Sequence, residues 1–328
     1  MMPSPLPAYP VPERLNIAIF LAMFPLLWGL LWLGSHGSWP LRLLAAWGFA
    51  FAQHLPFSLL HEAVHDIFSP NKRRNDLFGT LCAAVFPTSY TMQKVAHLGH
   101  HKRNRTDAEL YDYYLPQQSR SLRNFWLYAG NLMGLYWFCI PASLVVFLFT
   151  PWLYGSRKFI EGPARHLGFE PYVRDIAANS PRRIWLECLL ALAYQAVVFW
   201  LLDLNWQGWL LCHWAFALHW SALQYVDHAW SPRDVVEGAW NLKVTPLARA
   251  LALNYHYHLA HHRQPRVAWI HLPRLVRPGD AYPTFWSIYF SLWGGTRPAP
   301  PMAPGSAAGA KPADGSGLAG TTPLPVTE

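Results

Sequence analysis

Residues 97–101 read His-Leu-Gly-His-His, and the same spacing returns at residues 258–262, which read His-Leu-Ala-His-His. A third cluster, His-Glu-Ala-Val-His, occupies residues 61–65. Residues three and four apart lie on one face of a helix, so the imidazoles of each cluster are expected to lie on the same helix face. Eight imidazoles exceed what one metal ion binds, and imidazole is a ligand for Zn, Cu, Fe and Ni. The sequence therefore predicts a site for two transition-metal ions.

The rest of the chain is strongly apolar. Of its 328 residues, 52% are hydrophobic and 13% are charged, whereas charged residues make up about 25% of a typical soluble chain. The 18 Trp residues are typical of aromatic belts at membrane interfaces. The net charge of +8 comes from Lys and Arg in loops between apolar segments, so it indicates orientation in a membrane and not nucleic-acid binding.

Four segments are predicted to span the membrane, which takes roughly 20 helical residues each. They are residues 15–34, 41–60, 184–203 and 207–226. A further apolar stretch, 124–154, is predicted to be either one span or a re-entrant hairpin bent near Pro141. Residues 76–96 and 284–293 are predicted to be interfacial helices. Basic side chains collect after the second span and in residues 155–183, which indicates that this face is cytoplasmic.

The expected fold is all-α and integral to the membrane. It has four transmembrane helices, re-entrant or interfacial helices, and a cytoplasmic cap that carries the histidines. Residues 1–14 are expected to be a disordered arm, and residues 15–295 form the membrane domain. Residues 296–328 are rich in Pro, Ala and Gly, which predicts a disordered tail.

Two motifs allow more than one interpretation on spacing alone. In a zinc protease, His61 and His65 would bind zinc and Glu62 would act as the general base, but that chemistry leaves the other clusters without a role. Gln224 and His228 are four residues apart at the end of the last span, so one helix face would aim both at the site. For His228, a metal-ligand role and an ordinary hydrogen-bonded role at a membrane boundary stay open.

The order of these motifs resembles the membrane fatty acid desaturase superfamily. It runs His-x3-His, His-x2-His-His, a single His after the last span, and His-x2-His-His followed by Trp-Ile-His-Leu-Pro at residues 269–273. The resemblance covers residues 15–295 and implies a di-iron centre on the cytoplasmic side of a four-span bundle. It carries the role of iron ligand over to nine residues: His61, His65, His97, His100, His101, His228, His258, His261 and His262.

Several further residues are expected to orient those ligands through hydrogen bonds. Asp66 and Asp227 are adjacent to ligands in the sequence, and Gln224 occupies the place where some members have an asparagine that contacts an iron through water. The full set of expected partners is Glu62, Asp66, Gln224, Asp227 and Asn254.

The resemblance implies an oxidoreductase that uses O2 and two Fe ions to introduce a double bond into a long acyl chain. A hydroxylase or an alkene-forming decarboxylase of the same superfamily is the alternative, and an intramembrane zinc metalloprotease is a distant one. The substrate would be an acyl lipid, either free or linked to CoA, a carrier protein or another lipid. Electrons would come from an external ferredoxin-, rubredoxin- or cytochrome-type donor. The expected location is the cytoplasmic face of a bacterial inner membrane.

Overall fold

The secondary structure is almost entirely helical in the computed structural model, which describes residues 9–303 and 306. The α-helices are α1 (Glu13–His36), α2 (Trp39–Ala52), α3 (His54–Val64), α4 (Lys72–Val85), α5 (Tyr90–Arg103), α6 (Arg120–Phe125), α7 (Leu135–Phe149), α8 (Pro151–Tyr154), α9 (Arg157–Phe159), α10 (Glu170–Ala177), α11 (Pro181–Leu201), α12 (Trp206–Val226), α13 (Pro246–Leu251), α14 (His258–Arg263) and α15 (Phe285–Leu292). Two π-helical segments, Trp126–Leu132 and Ile160–Ala164, and a 3-10 helix, Trp269–Leu275, complete the helices. Strand β1 (Tyr113–Tyr114) pairs in parallel with β2 (Arg297–Pro298).

Three helical segments of the described chain are long and apolar enough to cross a membrane. They are Glu13–His36, Trp39–Val64, which joins α2 and α3, and Pro181–Leu201. A bent pair, Arg120–Leu132 with Leu135–Phe149, passes the same test when its two parts are taken together. Helix α12 was expected to be a span, and it has 21 residues. It is not among these segments, and it carries polar side chains at His213, His219 and Gln224. The described chain therefore has three or four candidate spans.

Helix α12 lies at the centre of the bundle. It packs against α1, α2 and α7, and its buried residues include Cys212 and Trp220. Gly34 of α1 meets Gly208 of α12 so closely that a Cβ atom on Gly208 would lie 2.3 Å from the Gly34 carbonyl oxygen. Small residues at a crossing let two helix backbones approach, as is common in membranes. The helix ends two residues before His228 and so delivers that side chain to the histidine cap.

The apolar stretch 124–154 bends at Gly134, and the expectation of a bend near Pro141 is wrong. The helical segments on either side of residues 133–134 are inclined by 87°. Gly134 has a φ of +91°, a left-handed conformation that glycine adopts without steric cost. A Cβ atom there would lie 2.9 Å from the backbone of Ala217. Pro141 lies inside α7, which continues to Phe149, so the glycine and not the proline sets the turn.

The segment after the first histidine cluster forms two helices, where one interfacial helix over residues 76–96 was expected. Helix α4 ends at Val85 and α5 begins at Tyr90. Pro87 lies in the break, where its missing amide donor and fixed φ disfavour a continuous helix. Ser89 then caps α5, because its hydroxyl oxygen accepts a hydrogen bond from the Met92 amide at 3.2 Å. The break allows α5 to begin in a new direction.

The chain ends contact the body of the protein where they are described. Glu13 begins α1, and the ring of Tyr9 lies 5.2 Å from that of His271. At the other end, Arg297 lies in β2 with its guanidinium 4.0 Å above the ring of Trp230. Most of the expected arm (1–14) and tail (296–328) falls on residues 1–8, 304–305 and 307–328, which lie outside the described residues.

Candidate metal centre

The first histidine cluster is at the C-terminal end of α3. His61 lies inside the helix, and His65 is the residue that ends it. Both side chains are buried, and their ring centroids are 4.9 Å apart. The spacing of one helical turn therefore brings two imidazoles together at the end of a candidate membrane span.

The second cluster, residues 97–101, lies on α5, and the start of this helix is fixed by a carboxylate from α11. Glu187 accepts hydrogen bonds from the Thr91 amide at 2.7 Å and from the Ser89 hydroxyl at 2.6 Å. A negative charge near a helix N-terminus also interacts favourably with the helix dipole. This cap ties the orientation of α5, and hence of its three histidines, to α11.

The third cluster, residues 258–262, lies on α14, a short helix that follows a tight turn. Leu253 and Asn254 have φ values of +46° and +58°, and asparagine tolerates this left-handed region better than most residues. The Asn254 side-chain amide donates to the Trp269 carbonyl at 3.1 Å, and its oxygen accepts from Arg249 Nε at 3.0 Å. The expected partner Asn254 therefore holds the turn before α14, and in the described chain its side chain forms no hydrogen bond with a histidine.

His228 joins the cap from the end of α12. Its Nδ1 lies 2.8 Å from the carbonyl oxygen of Gly238. A carbonyl oxygen accepts only from a protonated nitrogen, so Nδ1 carries the hydrogen and the lone pair of Nε2 is free. That Nε2 lies 2.9 Å from Nε2 of His258. The backbone carbonyl thus fixes the tautomer that a metal ligand requires.

Eight of these side chains form two groups, in each of which the possible ligand atoms lie within 4.8 Å of one another. The first group is His61, His65, His97 and His261, and the second is His100, His228, His258 and His262. His101 lies beside the first group, with its Nε2 atom 3.0 Å from Nε2 of His261 and 3.1 Å from Nε2 of His97. Helices α5 and α14 each send side chains to both groups.

The separations between the nitrogen atoms suit metal binding. Nε2 of His65 lies 2.9 Å from Nε2 of His97, and Nε2 of His258 lies 3.2 Å from Nε2 of His262. Metal–nitrogen bonds of about 2.1 Å place two ligands at right angles about 3.0 Å apart. Nε2 of His61 is buried and has no hydrogen-bond partner within the described chain. The nine imidazoles therefore fit two transition-metal ions.

Burial favours the neutral form of seven imidazoles of the cap by lowering the pKa of each. It lowers the pKa of His97 and of His101 well below the ordinary value, and neighbouring imidazoles lower both further. Burial, followed by neighbouring imidazoles, lowers the pKa in the same direction for His65, His228, His258, His261 and His262. A neutral imidazole retains the lone pair that a metal ion binds.

Asp227 is a buried carboxylate beside the second group. Its Oδ1 lies 3.8 Å from Nε2 of His228, and its Oδ2 lies 3.7 Å from Nδ1 of His258. Neither oxygen has a hydrogen-bond partner in the described residues, and burial raises the pKa of this carboxyl well above its ordinary value. A buried carboxylate is tolerated where a positive charge compensates it. Cations in the neighbouring group would supply that charge.

The expected partners Glu62 and Asp66 have different surroundings. Glu62 is buried, and its Oε2 accepts a hydrogen bond from the Trp269 amide at 3.1 Å. Asp66 is 46% exposed and forms ion pairs with Lys94 at 2.7 Å and Lys72 at 3.3 Å. In the described chain the Asp66 carboxylate accepts hydrogen bonds from lysine and asparagine side chains, and not from a histidine of the cap.

Glu109 is a partner that sequence reasoning missed. Its Oε2 lies 2.8 Å from Nδ1 of His100, and its Oε1 accepts a hydrogen bond from the hydroxyl of Tyr172. A carboxylate on Nδ1 fixes the ring orientation and leaves Nε2 to the metal. Glu109 follows His100 by nine residues and lies in a loop, so no helical spacing connects the two in the sequence.

A buried ion pair holds the loop that carries Glu109. Arg105 donates to both carboxylate oxygens of Asp112, at 2.8 and 3.0 Å, and the side chains are 1% and 0% exposed. Asp112 also accepts from the Trp230 amide at 2.7 Å, and its own amide donates to the Tyr225 hydroxyl at 2.6 Å. These contacts join the loop to the chain on either side of His228.

An inner cavity lies next to the histidine groups, and an outer cavity adjoins it. The inner cavity has a volume of 240 Å³, is lined by His97, His100, His228 and His258, and includes Gln224, which accepts from the Tyr255 hydroxyl at 3.0 Å. The outer cavity has a volume of 160 Å³. The two share a wall made of Tyr111, Asn131, Tyr136, Cys139 and Phe169. The inner cavity therefore borders both the second histidine group and the outer cavity.

Comparison with known proteins agrees with this arrangement. A model of the fatty acid desaturase family matches residues 37–293, which contain all nine histidines of the cap. A comparison with curated protein sequences finds no match. The resemblance drawn from the histidine motifs is confirmed, because the family model covers more than half of the chain. With its helical bundle, candidate membrane spans and two histidine groups, the chain belongs to the fatty acid desaturase family.

Proposed function

We propose that the protein is an oxygen-dependent, di-iron fatty acyl desaturase that introduces a double bond into a long acyl chain. The observation that carries the proposal is the pair of four-histidine groups, of which the second contributes three side chains to the wall of the inner cavity. An alkyl chain in that cavity would lie against metal ligands. The family to which the chain belongs acts on acyl chains in membranes, which supports the same substrate class.

The side chains of the cap have separable tasks in this proposal. The nine imidazoles hold two irons, which when bound would supply the activation of O2 and the removal of hydrogen from an unactivated C–H bond. Glu109 orients His100, and the Gly238 carbonyl orients His228. The aromatic side chains Tyr136 and Trp220 stack with their centroids 5.5 Å apart beside the inner cavity. They surround the alkyl chain with apolar surface and restrict water.

The proposed setting is the cytoplasmic face of a bacterial inner membrane. The concentration of Lys and Arg in the loops around the cap supports this orientation. Electrons would come from a separate ferredoxin-, rubredoxin- or cytochrome-type donor, and the basic loops would attract an acidic partner of this kind.

The same ligand set would serve hydroxylation or decarboxylation to an alkene. The three reactions are therefore distinguished by identifying the product. The purified protein, loaded with iron and supplied with a reductant and O2, is incubated with uniformly deuterated hexadecanoate, and the products are identified by mass spectrometry. Loss of two deuterium atoms without gain of oxygen supports the desaturase. Gain of one oxygen supports hydroxylation, and a chain shorter by one carbon supports decarboxylation.

Metal analysis tests the zinc protease alternative. That alternative would use His61, Glu62 and His65 and one zinc. Two irons per chain and products that depend on O2 support the oxygenase. One zinc per chain, with peptide cleavage that needs no O2, would overturn it.

A further inference from the structure

The outer cavity contains one arginine whose charge has no carboxylate partner. Four charged side chains line this cavity: Asp107, Arg123, Arg165 and Glu170. Asp107 is paired with Arg233, and Arg165 is paired with Glu170 at 2.6 Å. Within the described residues, no carboxylate lies within 4.0 Å of the Arg123 guanidinium. Arg123 is therefore the charged side chain of this cavity that lacks an ion-pair partner within the described residues.

The hydrogen bonds of Arg123 leave one edge of its guanidinium available. Nε donates to the side-chain oxygen of Gln118 at 3.0 Å. That same oxygen accepts from the Leu115 amide at 3.0 Å, so Gln118 is held in place and orients the arginine. In the described chain the two terminal nitrogens of Arg123 have no hydrogen-bond acceptor. Two parallel N–H donors on a planar guanidinium match the two oxygens of a carboxylate.

We propose that Arg123 binds the carboxylate of a free fatty acid, whose alkyl chain passes the shared wall into the inner cavity. This inference rests on the proposed function and names its substrate class. Tyr111, Tyr136 and Phe169 of the shared wall provide apolar ring faces for the chain. The inner cavity is also lined by Met92, by Ile140 and by three histidines of the second group.

The chemistry of the outer cavity favours a free acid over a thioester. A CoA or phosphopantetheine group carries phosphates, which bind clusters of cations or helix N-termini. Here a single unpaired cation lies in a cavity of 160 Å³. An uncharged thioester or ester carbonyl would leave the charge of Arg123 uncompensated, whereas a carboxylate neutralises it.

Binding measurements test the inference independently of turnover. Iron-loaded protein in a neutral detergent is first given a fluorescent fatty acid. It is then titrated with hexadecanoate, methyl hexadecanoate or hexadecanoyl-CoA, and the affinity of each is measured from its displacement of the fluorescent ligand. Loss of a charge-assisted, two-point contact weakens binding by about 10- to 100-fold. We expect Arg123→Gln to bind hexadecanoate more weakly than the wild type by this factor, and to bind the methyl ester with the affinity of the wild type. Arg123→Lys should retain part of the affinity for the acid.

Arg120→Gln is the matched control, because it removes the same charge from the same helix and does not line either cavity. Arg120 lies over the ring of Tyr114 at 5.9 Å. An unchanged iron content in Arg123→Gln establishes that the histidine cap has formed. Equal binding of hexadecanoate by the wild type and Arg123→Gln, or tighter binding of the CoA ester that does not depend on Arg123, would overturn the inference.

The two proposals fail in different ways. If hexadecanoate binds in an Arg123-dependent manner but no O2-dependent product forms, the acid site stands and the proposed desaturase is lost. If the protein oxidises only hexadecanoyl-CoA, and does so equally well in Arg123→Gln, the desaturase stands and the acid site is lost.

Discussion

Glu109 and His100 are joined by a 2.8 Å contact between the carboxylate Oε2 and the imidazole Nδ1. The contact connects a loop to a helix, and it directs the other ring nitrogen toward the second histidine group. We expect Glu109→Gln to weaken metal binding by about 10- to 100-fold, because a carboxylate partner of a ligating histidine fixes its tautomer and raises its basicity. Equilibrium dialysis against Fe(II) without O2 measures the affinity. Tyr172→Phe removes the other hydrogen bond to Glu109 and should have a smaller effect. Wild-type affinity in Glu109→Gln would contradict the prediction.

The division of the histidines predicts that single substitutions empty one metal site at a time. His65 belongs to the first group and His228 to the second. Replacement of either by Ala should leave about one tightly bound iron per chain, since the affected group loses one of its four imidazoles while the other group is intact. Elemental analysis after anaerobic loading gives the count. His36→Ala is the control, because His36 is exposed at the end of α1. Two tightly bound irons in His65→Ala would remove that residue from the ligand set.

The cap on α5 predicts a loss of stability that originates in α11. Glu187→Ala removes the acceptor of the Thr91 amide and hydroxyl and of the Ser89 hydroxyl. Buried donors left without a partner lower the free energy of unfolding by about 2–3 kcal/mol. Thermal unfolding in detergent should show a lower Tm. Glu161→Ala, which breaks an exposed ion pair with Arg157, should change the Tm little. Equal effects of the two substitutions would speak against the cap.

The buried pair of Arg105 and Asp112 predicts a larger loss. Asp112→Asn leaves the Arg105 guanidinium buried without a countercharge, and breaking such a pair costs about 3–5 kcal/mol. Asp107→Asn is the matched control on the same loop, because Asp107 is 68% exposed. Its buried partner Arg233 keeps hydrogen bonds to the carbonyl oxygens of Arg105 and Pro300, so a smaller loss is expected. Denaturant unfolding measured by circular dichroism compares the two variants. A smaller effect in Asp112→Asn than in Asp107→Asn would refute the assignment.

Positive charge in the loops predicts which side of the membrane each loop occupies. Ser38 and Lys158 are both exposed. Ser38 lies in a loop without Lys or Arg, whereas Lys158 lies in a basic loop. In a variant with the native cysteines replaced, cysteines at these two positions should react from opposite sides, with position 158 cytoplasmic. A membrane-impermeant maleimide applied to intact cells and to inverted vesicles reports the side. Labelling of both positions from the same side would invalidate the predicted topology.

Local spacing made much of the metal centre predictable. In residues 97–101, the i, i+3 and i+4 pattern requires only that the segment be helical, and it is. The partition of the cluster was not predictable, because His97 and His100 face different groups according to where α3, α12 and α14 lie. Glu109 escaped prediction for a related reason, since its contact with His100 depends on the path of a loop.

The bend at Gly134 illustrates a different limit of sequence reasoning. Proline is the stronger helix breaker on average, which favoured Pro141. The close approach of Gly134 to Ala217 of α12 is a tertiary constraint that only a residue without Cβ satisfies. Apolar composition left a single span and a bent hairpin both open for this stretch. The position of the bend was decided by a neighbour about eighty residues away.

The way in which α5 and α14 each serve both histidine groups limits how the centre can be redesigned. A change in the tilt or pitch of either helix would alter the coordination of both ions that the two groups could hold. Two other positions in the fold each serve a single group: the end of α3 carries His61 and His65 of the first group, and the chain two residues after α12 carries His228 of the second. His61, His65 and His228 are therefore the positions at which an engineer could replace one ion's donor set, for example with a carboxylate, while the geometry around its neighbour is preserved.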